Sequence, residues 1–145
     1  MQSIRDGSYE PSPVRRKEIP KPDGGVRKLG IPTVVDRVIQ QGIAQKLQNI
    51  WEPLFSDSSY GYRPKRSGQQ AIQKVKEYAE EGYRYAVSVD LSKYFDTLNH
   101  ELLMNLLHRK IQDMRVLRII KKYLKSGVME NGVVSKTEEG SPQGG

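Results

Sequence analysis

Large aliphatic residues recur every three or four positions in three stretches of the chain, a spacing that places them on one face of a helix. The first of these helices should be capped by Thr33 and should end before Pro53. A further helix is indicated by its start, because Ser67 and Gln70 form a capping box, and it should run to about Glu81. The aliphatic positions of the three stretches are Val35, Val38, Ile39, Ile43, Leu47 and Ile50, then Leu102, Leu103, Leu106, Leu107 and Ile111, and then Met114, Leu117, Ile120 and Leu124, after which Gly127 ends the last helix.

A period of two residues replaces the helical spacing in the segment 83–90. Alternation of this kind predicts a strand with one face in the core. Asp90 would stand at the carboxyl end of that strand, where small neighbours leave space for a hydrated cation and a large anionic substrate. The bulky face comprises Tyr83, Tyr85, Val87 and Val89, and the small face comprises Ala86, Ser88 and Asp90.

Two turn signals predict β-hairpins. The tetrapeptide Pro22-Asp23-Gly24-Gly25 separates VRRKEIP from VRKLGIP, and proline fixes φ while glycine supplies a positive φ. If Asp23-Gly24 or Gly24-Gly25 forms the centre of the turn, Lys21 and Arg27 lie within about one position of each other. The turn end of the hairpin is then cationic. Asn131-Gly132, between GVME and VVSK, is a strong two-residue hairpin signal.

Segments of other composition separate these elements. Residues 1–13 contain glycine, serine and proline with little apolar content, so we expect a loosely structured arm. The heptapeptide SSYGYRP at 58–64 is typical of a loop. The order of hairpin, helix, loop, helix, strand, two helices and hairpin lacks regular βαβ alternation. It therefore predicts the α+β class, with β-hairpins packed against about four helices.

Composition narrows the class of protein. The 145 residues are 36% hydrophobic and 28% charged, as in a soluble globular protein with a polar surface. No apolar run is long enough to span a bilayer, so we expect no membrane partner. The chain has no cysteine, which excludes disulfides and thiolate metal sites and suits a reducing interior. We therefore expect a cytoplasmic protein.

The net charge of +7 suggests a polyphosphate partner. Basic residues concentrate in three places rather than spreading evenly. Any one cluster alone is most simply a solvated face, but three clusters in one chain favour nucleic acid. The clusters are Arg15, Arg16 and Lys17; Arg63, Lys65 and Arg66; and the segment 109–125, which has a single acid, Asp113.

Four stretches of sequence follow one another between residues 13 and 145: PVRRKEIPKPDGGVRKLGIPTVVDRVIQQ, SYGYRPKRSGQQAI, VSVDLSKYFDTLNH and EEGSPQGG. In this order and wording they resemble the fingers and upper palm of reverse transcriptases, and most closely the group II intron-encoded maturases. The resemblance implies part of an RNA-directed DNA polymerase with a maturase role in RNA splicing and intron mobility. Its partners would be an RNA template, intron RNA, a DNA primer and a dNTP, in a bacterium or an organelle.

The resemblance also implies a division of the chain. All of residues 1–145 would form a partial reverse transcriptase domain. Within it we expect an N-terminal arm at 1–13, mainly fingers at 14–82, a palm strand and helices at 83–126, and a hairpin with the glutamine loop at 127–145.

A metal role for Asp90 follows from the same resemblance, because it matches the family's first catalytic, metal-binding carboxylate. The backbone carbonyl of Leu91 would bind the ion on the nucleotide side. The cofactor would be Mg²⁺, with Mn²⁺ as an alternative, since two-ion nucleotidyl transfer needs hard oxygen ligands. Asp96 is expected to be structural, because it precedes the helix start at Asn99, where short polar residues act as caps.

Residues for binding the nucleotide are implied as well. Lys21 and Arg27 match the cationic residues of the fingers that hold the triphosphate. Arg15 also matches, but its neighbour Arg16 competes for the role.

Two further residues match contacts to the sugar. Phe95 matches the ring that packs against the incoming sugar and excludes a 2′-hydroxyl, although without the resemblance it would simply be a core aromatic residue. Gln143 matches the glutamine that lines the nucleotide pocket, and its flanking glycines allow close approach of the backbone.

Other polar residues leave alternatives open. The aromatic and basic residues of the 58–66 loop either contact template RNA by stacking and phosphate pairing or pin the loop to its own core. A basic stripe farther along is more simply a solvated helix face than a site for intron RNA, and the two histidines are expected to be structural. The loop residues are Tyr60, Tyr62, Arg63 and Arg66, the stripe is Arg115, Arg118, Lys122 and Lys125, and the histidines are His100 and His108.

One departure from the family pattern matters for activity. The family's remaining metal carboxylates lie in a Tyr-x-Asp-Asp strand, and no Asp-Asp pair occurs in these 145 residues. We therefore expect a fragment that is inactive alone, whose uncovered apolar surface favours association into a homo-oligomer. The alternatives are a non-catalytic RNA-binding module derived from such an enzyme, or a retron, diversity-generating or CRISPR-associated reverse transcriptase.

Overall fold

The structure is a computed structural model that describes residues 2–22 and 24–141. The chain divides into two compact units, one formed by Met1–Ile43 with Leu91–Gly145 and the other by Ala44–Asp90. The division falls inside a long helix, α2 (Val34–Trp51). The α+β class is confirmed, since the described residues form five α-helices and one four-stranded sheet.

The first predicted hairpin is present in the first unit. Strands β1 (Val14–Pro20) and β2 (Val26–Ile31) pair antiparallel, with Ile19 opposite Arg27. The N–H of Lys21 donates to Gly25 O at 2.7 Å, which extends the pairing one residue past β1. Gly24 has a φ of +83°, the left-handed conformation that the turn requires and that glycine adopts without strain.

The second predicted hairpin, β3 (Val128–Glu130) with β4 (Val133–Ser135), is also present. Asn131 and Gly132 both have positive φ, 50° and 81°, as a two-residue turn of this kind demands. The sequence did not predict that β3 would pair in parallel with β1, which gives the strand order β2-β1-β3-β4. Val14 and Val128 face each other in this pairing and are both buried, so the two hairpins share a core.

Helices α4 (His100–His108) and α5 (Met114–Lys125) follow the predicted stretches. The Asn99 side chain caps α4 by accepting from the N–H of Leu102 at 2.8 Å. The cap is thus Asn99 and not Asp96, because Asn99 lies at the correct distance from the first free N–H groups. Gly127 has a φ of +82° two residues after α5, and a Cβ there would meet Ser135 O at 2.5 Å.

The N-terminal arm is more ordered than its composition predicted. It begins with a short helix, α1 (Gln2–Arg5), and its later residues are held by partly buried polar contacts. The O–H of Tyr9 donates to Asp36 Oδ1 at 2.7 Å, and the ammonium group of Lys122 donates to the carbonyls of Gly7 and Tyr9 at 2.9 Å each. The prediction of a loosely structured arm was wrong because the residues that hold the arm lie far along the chain, in α2 and α5.

The second unit contains the later part of α2, a 3₁₀ turn at Glu52–Leu54, a loop, and helix α3 (Gly68–Glu80). The predicted capping box at the start of α3 is complete. The N–H of Ser67 donates to Gln70 Oε1 at 2.8 Å, and the N–H of Gln70 donates to Ser67 Oγ at 3.4 Å. None of the helices in the described part of the chain is both long and apolar enough to cross a membrane.

The predicted strand at 83–90 is absent from the structure. The segment has no regular secondary structure, and its expected core face is open, with Tyr85, Val87 and Val89 between 84% and 95% exposed. A strand exists only where a neighbour accepts and donates its hydrogen bonds. Among residues 2–22 and 24–141, no strand pairs with this segment. The alternation of bulky and small side chains therefore marks an apolar face that no other described element covers.

The contacts of the arm predict how stability depends on pH. Burial, followed by the hydrogen bond to Asp36, raises the pKa of Tyr9 above its ordinary 10.0, and burial raises the pKa of Tyr123. A raised folded-state pKa means that both phenols contribute stability below about pH 10 and that this contribution is lost as the pH rises beyond that value. We expect the free energy of unfolding, measured by urea denaturation, to fall from about pH 9 to about pH 11.

The Tyr9→Phe variant is the matched comparison. It should be less stable at neutral pH by about 1–2 kcal/mol, since Asp36 loses a partner. It should also show a smaller fall at alkaline pH than the unaltered chain. Equal alkaline falls in both proteins would contradict the assignment to Tyr9.

Candidate functional site

The register of the first hairpin gives its two faces different charges. Opposed residues in an antiparallel pair point to the same side, and the side alternates along each strand. Ile19 opposes Arg27, and Arg15 and Lys21 lie an even number of residues from Ile19. Arg15, Lys21 and Arg27 therefore share one face, together with Lys17. All four side chains are exposed.

The opposite face of the hairpin is partly packed and its charges are mixed. Arg16 opposes the buried Gly30, and its Nε is buried without a hydrogen-bond partner among the described residues. Glu18 opposes Lys28, which gives this face an acid and a base in direct register. Arg16 thus lies on the other side from the cations that share a face with Arg15.

Phe95 lies in the turn that precedes α4, and its ring is about half exposed. It meets the ring of Tyr94 edge to face, with centroids 5.5 Å apart. Its carbonyl accepts a hydrogen bond from the N–H of Ser141 at 2.6 Å. The YFDTLNH motif and the glycine-rich motif, far apart in sequence, are therefore in contact.

Two further hydrogen bonds complete this contact, which we call the glycine clamp (Phe95, Leu98, His100, Gly140 and Ser141). The N–H of Gly140 donates to Leu98 O at 2.8 Å. Nε2 of His100 lies 2.6 Å from Gly140 O, and since a carbonyl only accepts, the imidazole donates.

The fit of Gly140 into the clamp requires glycine. Its φ is +82°, and a Cβ at this position would lie 2.7 Å from Asp96 O. Gln143, the sequence-predicted residue of the same motif, lies outside the described residues.

Asp90 and Leu91 are exposed in a segment without regular structure. Within residues 2–22 and 24–141, no group of three acidic, histidine or cysteine side chains is placed to hold a metal ion. Asp90 alone supplies one carboxylate, so the described residues do not by themselves fit a two-ion centre.

The loop at 58–66 is held by its own arginines. The Arg63 guanidinium pairs with Glu52 Oε1 at 2.7 Å and donates to the carbonyls of Ser56 and Ser59 at 2.6 and 3.0 Å. Its side chain is only 7% exposed. Arg66 donates to the carbonyl and the carboxylate of Asp57, both at 3.1 Å. These contacts favour the interpretation that both arginines pin the loop.

The two tyrosines of this loop differ in exposure. The Arg66 guanidinium lies 5.6 Å from the centroid of the Tyr60 ring, which is partly covered. Tyr62 has a positive φ of 53° and a fully exposed ring. Of the four residues considered for template RNA, Tyr62 has the most accessible surface for stacking.

The basic stripe of α5 serves several purposes. Lys122 is bound to the arm through Gly7 and Tyr9, and it pairs with Glu10 Oε1 at 2.6 Å. Arg115 pairs with Asp113, and this hydrogen bonding lowers the pKa of the Asp113 carboxyl to about 2. Two members of the stripe therefore act within the protein.

Sequence reasoning missed two residues, Asp36 and His100, whose contacts join distant parts of the first unit. Asp36 is 1% exposed, and its carboxylate accepts from the hydroxyls of Tyr9 and Thr33. The signal that could have identified Asp36 is its place three residues after the helix cap Thr33, because acids are favoured in a first turn. No local signal distinguishes His100, which was assigned only a structural role.

Comparison with known proteins agrees with these motifs. The family described as "Reverse transcriptase (RNA-dependent DNA polymerase)" matches residues 19–145. The group II intron-encoded protein LtrA of Lactococcus lactis subsp. cremoris is 43% identical over 147 residues, covering 100% of this chain and 24% of LtrA. Protein YkfC of Escherichia coli is 41% identical over 153 residues, covering 100% of this chain and 40% of YkfC.

A plant protein shows a more distant likeness. The mitochondrial nuclear intron maturase 1 of Arabidopsis thaliana is 30% identical over 94 residues, covering 65% of this chain and 13% of that protein. The chain thus spans about a quarter of LtrA and two fifths of YkfC. Since the family match covers most of the chain, including Lys21, Arg27 and the glycine clamp, the chain belongs to the reverse transcriptase (RNA-dependent DNA polymerase) family.

Proposed function

We propose that this chain is the fingers and partial palm of a group II intron-type reverse transcriptase. The protein that contains it copies RNA into DNA from a DNA primer and dNTPs, and it assists the folding and splicing of its intron RNA as a maturase. The observation that carries this proposal is the common face of Arg15, Lys21 and Arg27 on the first hairpin. The likeness to LtrA and to an intron maturase supports the intron-related part.

The cationic hairpin face suits a nucleoside triphosphate. Guanidinium and ammonium groups form charge-assisted hydrogen bonds to phosphate oxygens and stabilise the charge that develops on a leaving pyrophosphate. In the proposed site Lys21 and Arg27 hold the triphosphate. Arg15 belongs with them, and Arg16 does not, because Arg16 lies on the opposite, partly packed face.

The proposed metal centre needs ligands beyond this chain's described residues. Asp90 would contribute one carboxylate and Leu91 its backbone carbonyl, which are the hard oxygen ligands that Mg²⁺ prefers, and Mn²⁺ is an alternative ion. Bound divalent ions would supply charge stabilisation to nucleotidyl transfer. In the described part of the chain the Asp90 carboxylate has no ion pair or hydrogen bond. It is therefore available to bind an ion.

Sugar selection is assigned to Phe95 and Gln143. The half-exposed ring of Phe95 can exclude a 2′-hydroxyl by its volume alone. The hydrogen bond from Ser141 to Phe95 O supports a shared pocket, since Ser141 lies two residues before Gln143.

RNA is the proposed macromolecular partner. Tyr62 is the leading residue for stacking on a template base, with Tyr60 beside it. Arg63 and Arg66 contribute indirectly by fixing the loop. The proposed division of the chain remains an arm at 1–13, mainly fingers at 14–82, palm elements at 83–126 and the glutamine loop at 127–145.

The metal role of Asp90 predicts a large loss of polymerisation. In primer extension on an RNA template by the full-length protein, Asp90→Asn should lower the rate by about a thousand-fold, because the transition state loses a metal ligand. Asp96→Asn is the matched control, since it removes the other carboxylate of the same motif, and it should cost only a few-fold. Retained activity in Asp90→Asn would refute the assignment.

Triphosphate binding by one hairpin face predicts a difference between two lysines of the same hairpin. Lys21→Ala should raise the KM for dNTP by about tenfold in the full-length protein, because a charge-assisted phosphate contact is removed. Lys28→Ala removes the same charge from the opposite face and should change the KM little. Equal effects of the two variants would show that only net charge matters.

Sugar exclusion by Phe95 predicts relaxed specificity on truncation. Phe95→Ala should lower the preference for dNTP over rNTP by about tenfold or more, measured as a ratio of kcat/KM values. Tyr94→Ala removes the partner ring of the same aromatic pair and should leave that ratio near its original value. Unchanged discrimination in Phe95→Ala would remove Phe95 from the site.

A further inference from the structure

We propose that His100 is a positioning residue for the proposed nucleotide site, and that it acts through Gly140 and Ser141 on the backbone of Phe95. This inference rests on the proposed polymerase function and adds to it. Its basis is the glycine clamp. Two of the three hydrogen bonds described for the clamp join backbone groups, and the third comes from the imidazole side chain of His100.

The histidine itself is rigidly placed. His100 is the first residue of α4, directly after the cap Asn99, and it is 5% exposed. The capped helix start fixes the backbone of His100, and the buried ring is held in direction by its hydrogen bond to Gly140 O at 2.6 Å. The imidazole therefore ties Gly140 to the start of α4, so that the position of Gly140 depends on the position of α4.

The acceptor needs this donor. The residue Gly140 is buried, and a buried carbonyl without a partner loses the hydrogen bond that water would otherwise provide. Since the carbonyl can only accept, Nε2 carries the hydrogen. The other ring nitrogen, Nδ1, is buried and has no partner among the described residues. Within the described part of the chain, the hydrogen bond to Gly140 is therefore the polar contact of the ring.

The clamp holds the backbone of Phe95, which is a proposed sugar contact. Phe95 O accepts from the N–H of Ser141 at 2.6 Å, and Leu98 O accepts from the N–H of Gly140 at 2.8 Å. A shift of Gly140 would therefore move Ser141 relative to the backbone of Phe95. The expected consequence is altered nucleotide binding and sugar discrimination, rather than loss of the chemical step.

Steady-state kinetics of the full-length protein test this inference. His100→Phe keeps the ring shape without a donor, and it should raise the KM for dNTP by about tenfold while kcat changes by less than about threefold. The dNTP over rNTP preference should fall as well. His100→Gln restores an N–H donor and should recover most of the binding.

Matched controls separate the clamp from general effects. His108→Phe alters an exposed histidine of the same helix and should change neither constant. Gly140→Ala should reproduce the His100→Phe phenotype by a different route, because its Cβ would meet Asp96 O. Gly132→Ala carries the same positive-φ strain in open space and should leave KM unchanged.

A double-mutant cycle with Phe95→Ala decides whether His100 acts through Phe95. If it does, His100→Phe should add little to the loss of sugar discrimination in Phe95→Ala, since the two residues then form one unit. Additive effects would overturn the inference, and so would a fall in kcat with KM unchanged.

Hydrogen exchange gives a readout that is independent of activity. In the full-length protein, His100→Phe should speed amide exchange in the segment 138–141, and His100→Gln should slow it again. Unchanged exchange would overturn the clamp even if the enzyme is active. A protein that shows the exchange change but does not polymerise would instead contradict the proposed function.

Discussion

The buried carboxylate of Asp36 joins three parts of the first unit: the N-terminal arm, the start of α2 and helix α5. It accepts from the hydroxyls of Tyr9 and Thr33, while the Tyr123 hydroxyl reaches Asp36 O at 3.4 Å. A carboxyl group at 1% exposure is costly to bury unless its oxygens are hydrogen-bonded, so the fold needs these partners. The arm is also held to α5, because Lys122 donates to the carbonyls of Gly7 and Tyr9. Five residues after Tyr9 the sheet begins at Val14, which pairs in parallel with Val128 of β3.

The features that the sequence predicted correctly are those decided by neighbouring residues. Ser67 with Gln70, Asn131 with Gly132, and the Pro22–Gly25 turn each carry their own stabilising contacts within four residues. The segment 83–90 failed for the complementary reason, since alternation defines a face but supplies no partner for the hydrogen bonds of a strand. Its tyrosines Tyr83 and Tyr85 line an apolar groove of about 530 Å³ together with Val75 and Tyr78 of α3. Apolar surface of this extent is typical of a face that another segment covers.

The candidate site shows the same difference between local and long-range information. Asp90, Phe95, Lys21 and Arg27 were predicted from sequence motifs. The proposed preference for Arg15 over Arg16 needed the register, because both are arginines and only the strand pairing separates their faces. The contact of His100 could not be predicted from the sequence. Its partner is a backbone carbonyl forty residues away, and every residue has such a carbonyl, so no residue type marks the partner.

The charge distribution of the first hairpin argues for an anionic ligand independently of any family likeness. Arg15, Lys17, Lys21 and Arg27 share one exposed face, whereas Glu18, the acid of the two strands, lies on the other side opposite Lys28. Like charges held on one face of a sheet repel, and a hairpin selected for stability alone would interleave the signs. The unbalanced face costs stability that a triphosphate would offset by pairing with several cations at once. The same reasoning explains why Lys28 is a suitable control, since its charge is balanced across the strand pair, while the charge of Lys21 is not.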